Sequence, residues 1–190
     1  IFMRDRPAHS LADIQGAKFR VAAGTLGDIG KALGVTPTVK PITELFELLS
    51  GGIVDGAFTT LDAADAFRLD RAVKYATVFP EGLTSTAFAM IMNQGAWSKL
   101  SKADQDAIDK LSGEHLARIW GRAFDNADRK GMAYLQAGKV AVTTASPAFV
   151  AEVRKRTSEI DAGWIAEARA KGLKDPDKVL AELRRLAAAN

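Results

Sequence analysis

The fold class of this chain is decided by residues 17–58, which read AKFRVAAGTLGDIGKALGVTPTVKPITELFELLSGGIVDGAF. Three short segments, at 17–23, 36–40 and 53–58, are bounded by glycine or proline and predict strands. Between them, residues 26–33 and 42–50 carry apolar side chains at helical spacing and predict amphipathic helices. This alternation of strand and helix favours an α/β fold with a parallel or mixed sheet.

The alternation continues toward the C-terminus. Residues 60–69 predict a helix and residues 71–78 a strand. Residues 82–93 predict an extended strand, because threonine and large apolar residues occupy every second position there. Those residues are Thr84, Thr86, Phe88, Met90 and Met92.

The last third of the chain is dominated by helical periodicity. Ser101 and Asp104 resemble a capping box and open one predicted helix that runs to Gly138. A helix of about 35 residues would be roughly 50 Å long, so it would straddle two bodies or form a spine. Residues 139–144 predict a strand, and further helices are predicted to begin after Ser146 and after Asp175.

Composition narrows the class of protein. The 190 residues are 47% hydrophobic and 26% charged, as in an ordinary globular protein. The net charge of +3 is spread along the chain without a basic cluster, so no nucleic-acid partner is expected. The absence of cysteine excludes a disulfide scaffold and a thiol nucleophile. The longest apolar run, residues 87–92, is too short for a membrane span, which takes about 20 residues.

Residues with catalytic or metal-binding patterns are scarce. His9 and His115 have no ligand-type partner at helical spacing, and neither a P-loop nor a nucleophile elbow is present. No metal or cofactor is therefore expected. Gly24 and Thr25 open a glycine-containing turn before the first long helix. That turn either presents backbone N–H groups to an anion or is an ordinary strand-to-helix connection.

Arg20 is the most informative single residue, because it interrupts an apolar strand. A buried guanidinium needs an anionic partner to offset the cost of desolvation. The partner is either an internal carboxylate (Glu44, Asp55 or Asp62) or the carboxylate or phosphate of a ligand; alternatively, Arg20 lies on an exposed face.

Three segments resemble solute-binding proteins of TRAP transporters, of the DctP type. Residues 11–21 resemble the segment of that family that ends in its carboxylate-binding arginine, and residues 32–37 its Ala-Leu-Gly-x-x-Pro step. Residues 44–56 (ELFELLSGGIVDG) resemble its most specific signature. Further matches follow in the family's order at Lys74, Tyr75, Asn93, Trp97, Leu100 and Gln105.

The resemblance implies a periplasmic binding protein-like fold of two α/β domains, joined by hinge strands and a long spanning helix. The chain would be the C-terminal part of such a protein, with most of the first domain missing. Residues of about 20–93 would form the core of the second lobe, residues 101–138 the spine helix, and residues 139–190 a returning strand and C-terminal helices.

The resemblance also implies a function in transport. The lobes would close by a hinge on a small organic acid in the periplasm and deliver it to the membrane permease of a TRAP transporter, without catalysis. Arg20 would bind the carboxylate. Other predicted ligand-binding residues are Gly24, Thr25, Phe58, Thr59, Thr60 and Phe79, although Thr59 and Thr60 could instead cap the following helix.

Two other functions are compatible with the residues alone. One is a lyase or isomerase of a small organic acid, with Glu44 or Asp55 as its base. The other is the ligand-sensing module of a receptor. The identity of the acid and the choice between monomer and dimer are left open.

Overall fold

A six-stranded sheet organises the chain in the computed structural model, which describes residues 1–80, 82–84 and 88–188. The described strands are β1 (Phe2–Met3), β2 (Lys18–Val21), β3 (Thr36–Val39), β4 (Gly56–Ala57), β5 (Tyr75–Val78) and β6 (Ala141–Thr144). Their order across the sheet is β3-β2-β4-β1-β5-β6.

The sheet is mixed because β1 runs against its neighbours. Strand β2 is parallel to β3 and β4, with Arg20 paired to Thr38 on one side and Ala57 on the other. Strand β5 is parallel to β6, whereas β1 is antiparallel to both β4 and β5. All strands except β1 therefore end at the same side of the sheet, which we call the carboxyl edge.

Helices cover both faces of the sheet. They are α1 (Leu11–Ile14), α2 (Thr25–Ala32), α3 (Leu45–Ser50), α4 (Asp62–Ala66), α5 (Gln94–Trp97), α6 (Lys102–Leu111), α7 (Gly113–Ala137), α8 (Pro147–Ala170) and α9 (Pro176–Ala188). Two short 3-10 helices, Ile42–Glu44 and Leu69–Arg71, precede α3 and β5.

Each face of the sheet has its own apolar core, because successive strand residues point to opposite sides. The first core joins Phe19 and Val21 of β2 to α1, α2 and the start of α8. The second core joins Ala57 and Ala76 to α3, α4 and Leu135 of α7. Arg20 lies between Phe19 and Val21 in sequence and so points to the side of the second core.

The chain changes direction at β2. It passes from β2 through α2 to β3, then returns through α3 to β4 on the other side of β2. Helices α2 and α3 accordingly pack on opposite faces. In open α/β sheets a crevice forms outside the carboxyl ends of the strands where the crossover direction reverses. Here that position is next to the ends of β2 and β4.

Most of the predicted elements are confirmed, with shorter bounds. The α/β class is confirmed, as are the predicted strands at β2, β3 and β6 and the helices at α2, α8 and α9. The helix predicted at 42–50 begins as a 3-10 turn, and the strand predicted at 53–58 is reduced to β4. The buried core also extends beyond residues 20–93, since Met3, Val140 and Phe149 belong to it.

The prediction of one helix over residues 101–138 is wrong. The capping interaction is present, since the Ser101 hydroxyl accepts a hydrogen bond from Asp104 N at 3.1 Å. However, α6 ends at Leu111, and Gly113 adopts a φ of +61°, which is left-handed backbone that interrupts a helix. Helix α7 alone has 25 residues and is roughly 37 Å long.

The strand predicted at 82–93 is also not found in the described part of that segment. Residues 82–84 and 88–93 pair with no strand, and residues 85–87, including Thr86, lie outside the described residues. The large apolar side chains of residues 88–92 are exposed, with Ile91 89% accessible, although Phe88 stacks on Phe124 of α7 at 5.0 Å between ring centroids. Leu83 is half-buried and packs against the first core. Within the described residues, no helix has the length and apolar content required to cross a bilayer.

Candidate functional site

Residues predicted to bind a ligand gather along the carboxyl edge. Gly24 and Thr25 follow β2, residues 58–60 follow β4, and Phe79 follows β5. Since these strands are mutually parallel, the loops that follow them share one side of the sheet. Arg20 lies near the end of β2 on this same side.

Arg20 is buried without an ionic partner among the described residues. Only 4% of its surface is accessible, which excludes the exposed alternative. Its Nε donates a hydrogen bond to the Lys40 carbonyl at 2.9 Å. Burial lowers the pKa of the Arg20 guanidinium from its usual value, yet an arginine in a protein stays charged.

The internal carboxylates proposed for Arg20 bind elsewhere. Glu44 pairs with the ammonium of Lys40 at 3.1 Å. Asp55 accepts a hydrogen bond from Lys18 N at 2.8 Å, at the start of β2 rather than its end. The Asp62 carboxylate forms no described ion pair with Arg20, and the Asp62 backbone N–H donates a hydrogen bond to Asp128 of α7. The buried positive charge of Arg20 is therefore left for a partner that is not among the described residues of this chain.

A depression of ≈ 250 Å³ opens beside the guanidinium, and we call it the Arg20 depression. It lies between the segments that follow β2 and β3. Its lining residues are Arg20, Ala22, Ala23, Val39, Lys40 and Pro41. Its walls are mostly apolar, and a carboxylate placed there would meet an arginine in low-dielectric surroundings, where a charge-assisted bond is strong.

The other predicted site residues do not line this depression. Gly24 and Thr25 are exposed at the start of α2, Thr60 is exposed, and Thr59 is half-buried. Phe58 is 2% accessible and packs against Phe19 at 4.8 Å between ring centroids. The ring of Phe58 is thus placed in the first core, not on the surface of the depression.

Phe79 is likewise a core residue. It is 8% accessible, and its ring lies 5.2 Å from that of Phe149 in α8. The alternative that Thr59 or Thr60 caps the next helix is not found either. Asp128 performs that role from α7, because its Oδ1 accepts a hydrogen bond from Asp62 N at 3.0 Å.

Sequence reasoning missed every lining residue except Arg20, and Lys40 and Pro41 are the two that follow β3. The parallel pairing of β3 with β2 places them beside Arg20. The sequence predicted both strands but not this pairing. The hydrogen bond between the Lys40 carbonyl and Arg20 is a tertiary contact that periodicity does not reveal.

A larger groove of ≈ 390 Å³ lies at the opposite edge of the sheet. Arg4, Asp5, Ser50 and residues 70–74 line it. Asp5, Arg71 and Lys74 are exposed, and Lys74 pairs with Asp5 at 3.0 Å. Asp70 is half-buried, and its Oδ1 is buried without a hydrogen-bond partner among the described residues. Tyr134 hydrogen-bonds Asp70 nearby, which raises the pKa of the Tyr134 hydroxyl. The buried unpartnered atom of this groove thus belongs to a carboxylate, whereas the buried group of the Arg20 depression is a cation.

Both a family model and solved structures of bacterial solute-binding proteins match this chain. The family model DctP, described as bacterial extracellular solute-binding protein, family 7, matches residues 2–166. A TRAP periplasmic solute-binding protein from Bordetella bronchiseptica, with bound (R)-mandelate and (S)-mandelate, has 38% sequence identity and a TM-score of 0.91. That match covers 99% of this chain and 59% of the other.

Curated relatives are more distant. The outer membrane transporter protein TsaT of Comamonas testosteroni is 28% identical over 187 residues, which are 97% of this chain and 54% of TsaT. The C4-dicarboxylate-binding periplasmic protein DctP of Rhodobacter capsulatus is 27% identical over 149 residues, which are 78% of this chain and 43% of that protein. The chain therefore spans about half the length of these curated relatives. The family match and the shared fold make this chain a member of the DctP family of bacterial extracellular solute-binding proteins, family 7.

Proposed function

We propose that this chain is the second lobe of a periplasmic TRAP transporter binding protein that captures a small organic acid through Arg20. The lobe supplies the guanidinium, and a first lobe closes over it by a hinge. The closed protein then delivers the acid to its membrane permease. The observation that carries the proposal is the burial of Arg20 without a described carboxylate partner.

The geometry of Arg20 suggests how the acid binds. Its Nε is hydrogen-bonded to the Lys40 carbonyl, and the described part of the chain gives no partner to the terminal nitrogens Nη1 and Nη2, which leaves them for the ligand. A carboxylate meeting both of them end-on would form a bidentate pair, which fixes its orientation as well as its charge. Lysine could not reproduce this arrangement, because it offers one point charge.

The lining of the depression suggests an acid with an apolar body. Ala22, Ala23, Val39 and Pro41 offer methyl and methylene groups beside the guanidinium. The Bordetella relative has mandelate bound, and mandelate combines a carboxylate with an aromatic ring. Mandelate is therefore the first acid to test on this protein.

A first lobe is supported by the apolar surface that this chain leaves uncovered. Phe88, Met90, Ile91 and Met92 are all more than half exposed, and Leu111 at the end of α6 is as well. Apolar patches of this kind usually mark a surface that another domain covers. Residues 88–92 come after β5 in the chain, and the proposed first lobe would cover them.

The test is acid binding by the complete natural chain that contains these residues. Titration calorimetry with mandelate, benzoate, butyrate and succinate would give the dissociation constants. Arg20→Met should weaken the tightest of these by about 30- to 5,000-fold, because an unpaired buried carboxylate costs about 2–5 kcal/mol. Arg20→Lys should recover only a small part of that affinity.

Lys18→Met is the matched control. It removes one positive charge from the same strand, but at the exposed opposite end. Its affinity should stay within about twofold of the original, since a distant exposed charge is largely screened. Equal losses in Arg20→Met and Lys18→Met would contradict the proposal, and so would an Arg20→Met variant that binds normally.

A further inference from the structure

The β4–α4 connection (residues 58–61) runs along the carboxyl edge beside the strand that carries Arg20, and it contains neither helix nor turn. Ala57 of β4 pairs with Arg20, and Phe58 N donates a hydrogen bond to the Arg20 carbonyl at 3.2 Å. Ala57 belongs to the second core and Phe58 to the first. Successive residues of an extended chain face opposite sides, which assigns Thr59 to the face of the sheet that Arg20 shares.

Thr59 offers a hydrogen-bonding group at this position. Its side chain is half-buried, and its hydroxyl has no hydrogen-bond partner among the described residues. Strand β2 lies between β3 and β4. An acid held by Arg20 would therefore have the Arg20 depression on its β3 side and Thr59 on its β4 side. A threonine hydroxyl can donate a hydrogen bond to a carboxylate oxygen.

The connection is held at its two ends and not in its middle. At the strand end, Phe58 N is bonded to β2. At the helix end, Asp128 of α7 accepts a hydrogen bond from Asp62 N at 3.0 Å. Between these points, the N–H groups of Thr59 and Thr60 donate no described hydrogen bond. The position of Thr59 therefore depends on where α7 holds Asp62.

Asp128 is a helix cap supplied by another element. Helix α4 begins after Leu61, whose apolar side chain makes no capping hydrogen bond. The acceptor comes instead from Asp128, which is 66 residues away from Asp62 in the sequence. One turn later in α7, Gly131 places its backbone against the Leu61 carbonyl. Asp128 and Gly131 together fix the end of the β4–α4 connection to α7.

We propose that Asp128 is a positioning residue of the acid-binding site, which holds the β4–α4 connection so that the Thr59 hydroxyl reaches the carboxylate bound by Arg20. The inference rests on the proposed function of Arg20 as the carboxylate anchor. Asp128 acts on the acid only through the backbone of Asp62 and the connection before it. All of these contacts lie within this lobe, so they are made alongside any that the first lobe adds.

The experiment is a double-mutant cycle on acid affinity in the complete natural chain. Calorimetry with mandelate, or with the tightest of benzoate, butyrate and succinate, compares the original protein, Thr59→Ala, Asp128→Ala and the double variant. Each single substitution should weaken binding by about 3- to 10-fold, as expected for the loss of one hydrogen bond. Thr59→Ala should weaken the Asp128→Ala protein by less than about twofold, because a misplaced hydroxyl contributes little.

Two conservative substitutions separate the position of the acceptor from its charge. Asp128→Asn keeps an acceptor oxygen in place without the charge, and its affinity should stay within about twofold of the original. Asp128→Glu keeps the charge but is one methylene longer, so it should displace Asp62 and weaken binding. The matched control is Asp109→Ala, at an exposed carboxylate of α6, which should leave the affinity unchanged.

Thermal unfolding checks that each variant is folded at the temperature of the titration. If Asp128→Ala does not fold, Asp128→Glu takes its place in the cycle. Additive losses in the cycle would contradict the role of Asp128, and so would normal binding by Thr59→Ala or by Asp128→Ala. An Asp128→Asn protein that binds more weakly than Asp128→Glu would also contradict it, since charge rather than position would then matter.

These outcomes are distinct from a failure of the proposed function. If Arg20→Met weakens binding but the cycle shows no coupling, Arg20 remains the anchor and Asp128 does not position the site. If none of the four acids binds, or if Arg20→Met leaves the affinity unchanged, the proposed function itself fails.

Discussion

Gly131 of α7 lies directly against the backbone carbonyl of Leu61, the residue before α4. A methyl group added at Gly131 would overlap that oxygen, and the carbonyl carbon would lie only 2.6 Å away. The contact is between two backbones, so no flexible side chain can move aside to relieve it. The close approach fixes α4, and with it the end of β4, relative to the longest helix of the structure.

Gly131→Ala is therefore expected to destabilise the protein by about 3 kcal/mol or more, since overpacking against backbone has little room to relax. Gly121→Ala is the control on the same helix, because an added Cβ there meets nothing within 4 Å. It should stabilise by up to about 1 kcal/mol through helix propensity. Urea unfolding of both variants would test this, and similar effects of the two substitutions would contradict the contact.

Asp128, one turn before Gly131, is expected to give stability a pH dependence. Burial raises the pKa of its carboxyl in the folded state, outweighing the hydrogen bond from Asp62 N. A group whose pKa is higher in the folded than in the unfolded state stabilises the fold at low pH, and this contribution disappears as pH rises through the folded pKa.

The difference in unfolding free energy between the original protein and Asp128→Asn should thus fall as pH rises above about 4, the ordinary value for aspartate. Chemical denaturation at a series of pH values measures it. Asp109→Asn, at an exposed position of α6, is the control. A difference that is flat with pH, or that grows with it, would contradict the predicted direction.

Phe58 and Thr59 are adjacent but are expected to behave in opposite ways. Phe58→Ala removes a buried ring that packs on Phe19 and should cost about 3–5 kcal/mol of stability. Phe58→Leu keeps most of the volume, should cost less than about 1.5 kcal/mol, and should leave acid affinity nearly unchanged.

Thr59→Ala, in contrast, should change stability by no more than about 0.5 kcal/mol, since Thr59 is half-buried and has no role in the core. If Thr59 contacts the ligand, the same variant should weaken acid binding. Thermal unfolding and calorimetry on these variants separate the two roles. A large loss of affinity in Phe58→Leu would return Phe58 to the binding site.

Asp55 is expected to be a structural residue. Its carboxylate accepts a hydrogen bond from Lys18 N, and its own backbone N–H donates to Lys18 O at 2.7 Å. Asp55→Ala should lower stability by about 1–2 kcal/mol because it leaves Lys18 N without this acceptor. Asp55→Asn keeps an acceptor oxygen and should cost less. Acid affinity that falls in both variants while stability holds would instead support a role in the site.

The sequence predicted correctly the helices and strands that depend on capping residues and on short-range hydrophobic patterns. Helix α8 follows from Ser146, whose hydroxyl caps Phe149 N, and β2 follows from an apolar run between glycines. The predicted long helix was wrong because apolar spacing continues through Ser112 and Gly113, while the left-handed backbone of Gly113 leaves no trace in hydrophobic periodicity. Strand β1 has only Phe2 and Met3, too few residues for any period to be visible.

The sequence predicted Arg20 as the carboxylate-binding residue of the candidate site, but it did not predict the residues that line the depression beside it. Arg20 stands out because a guanidinium in an apolar strand needs a partner. Phe58 could not be assigned to the core from sequence, because residues that follow a strand can turn inward or outward. Large apolar residues alternate along residues 88–93 as they do in a strand. A strand forms only where a neighbouring strand supplies hydrogen bonds, and the alternation does not show whether such a strand is present.

Strand β1 joins the two parts of the sheet. It lies between β4 and β5, so the described strands β3-β2-β4 and β5-β6 are joined in one sheet through two residues. Its partners follow more than fifty residues later in the chain, so this junction closes only after both halves exist, a long-range pairing that slows folding. Amide exchange at Ala57 and Ala76 would then report the opening of the whole sheet, whereas exchange in α6 would report only local fraying.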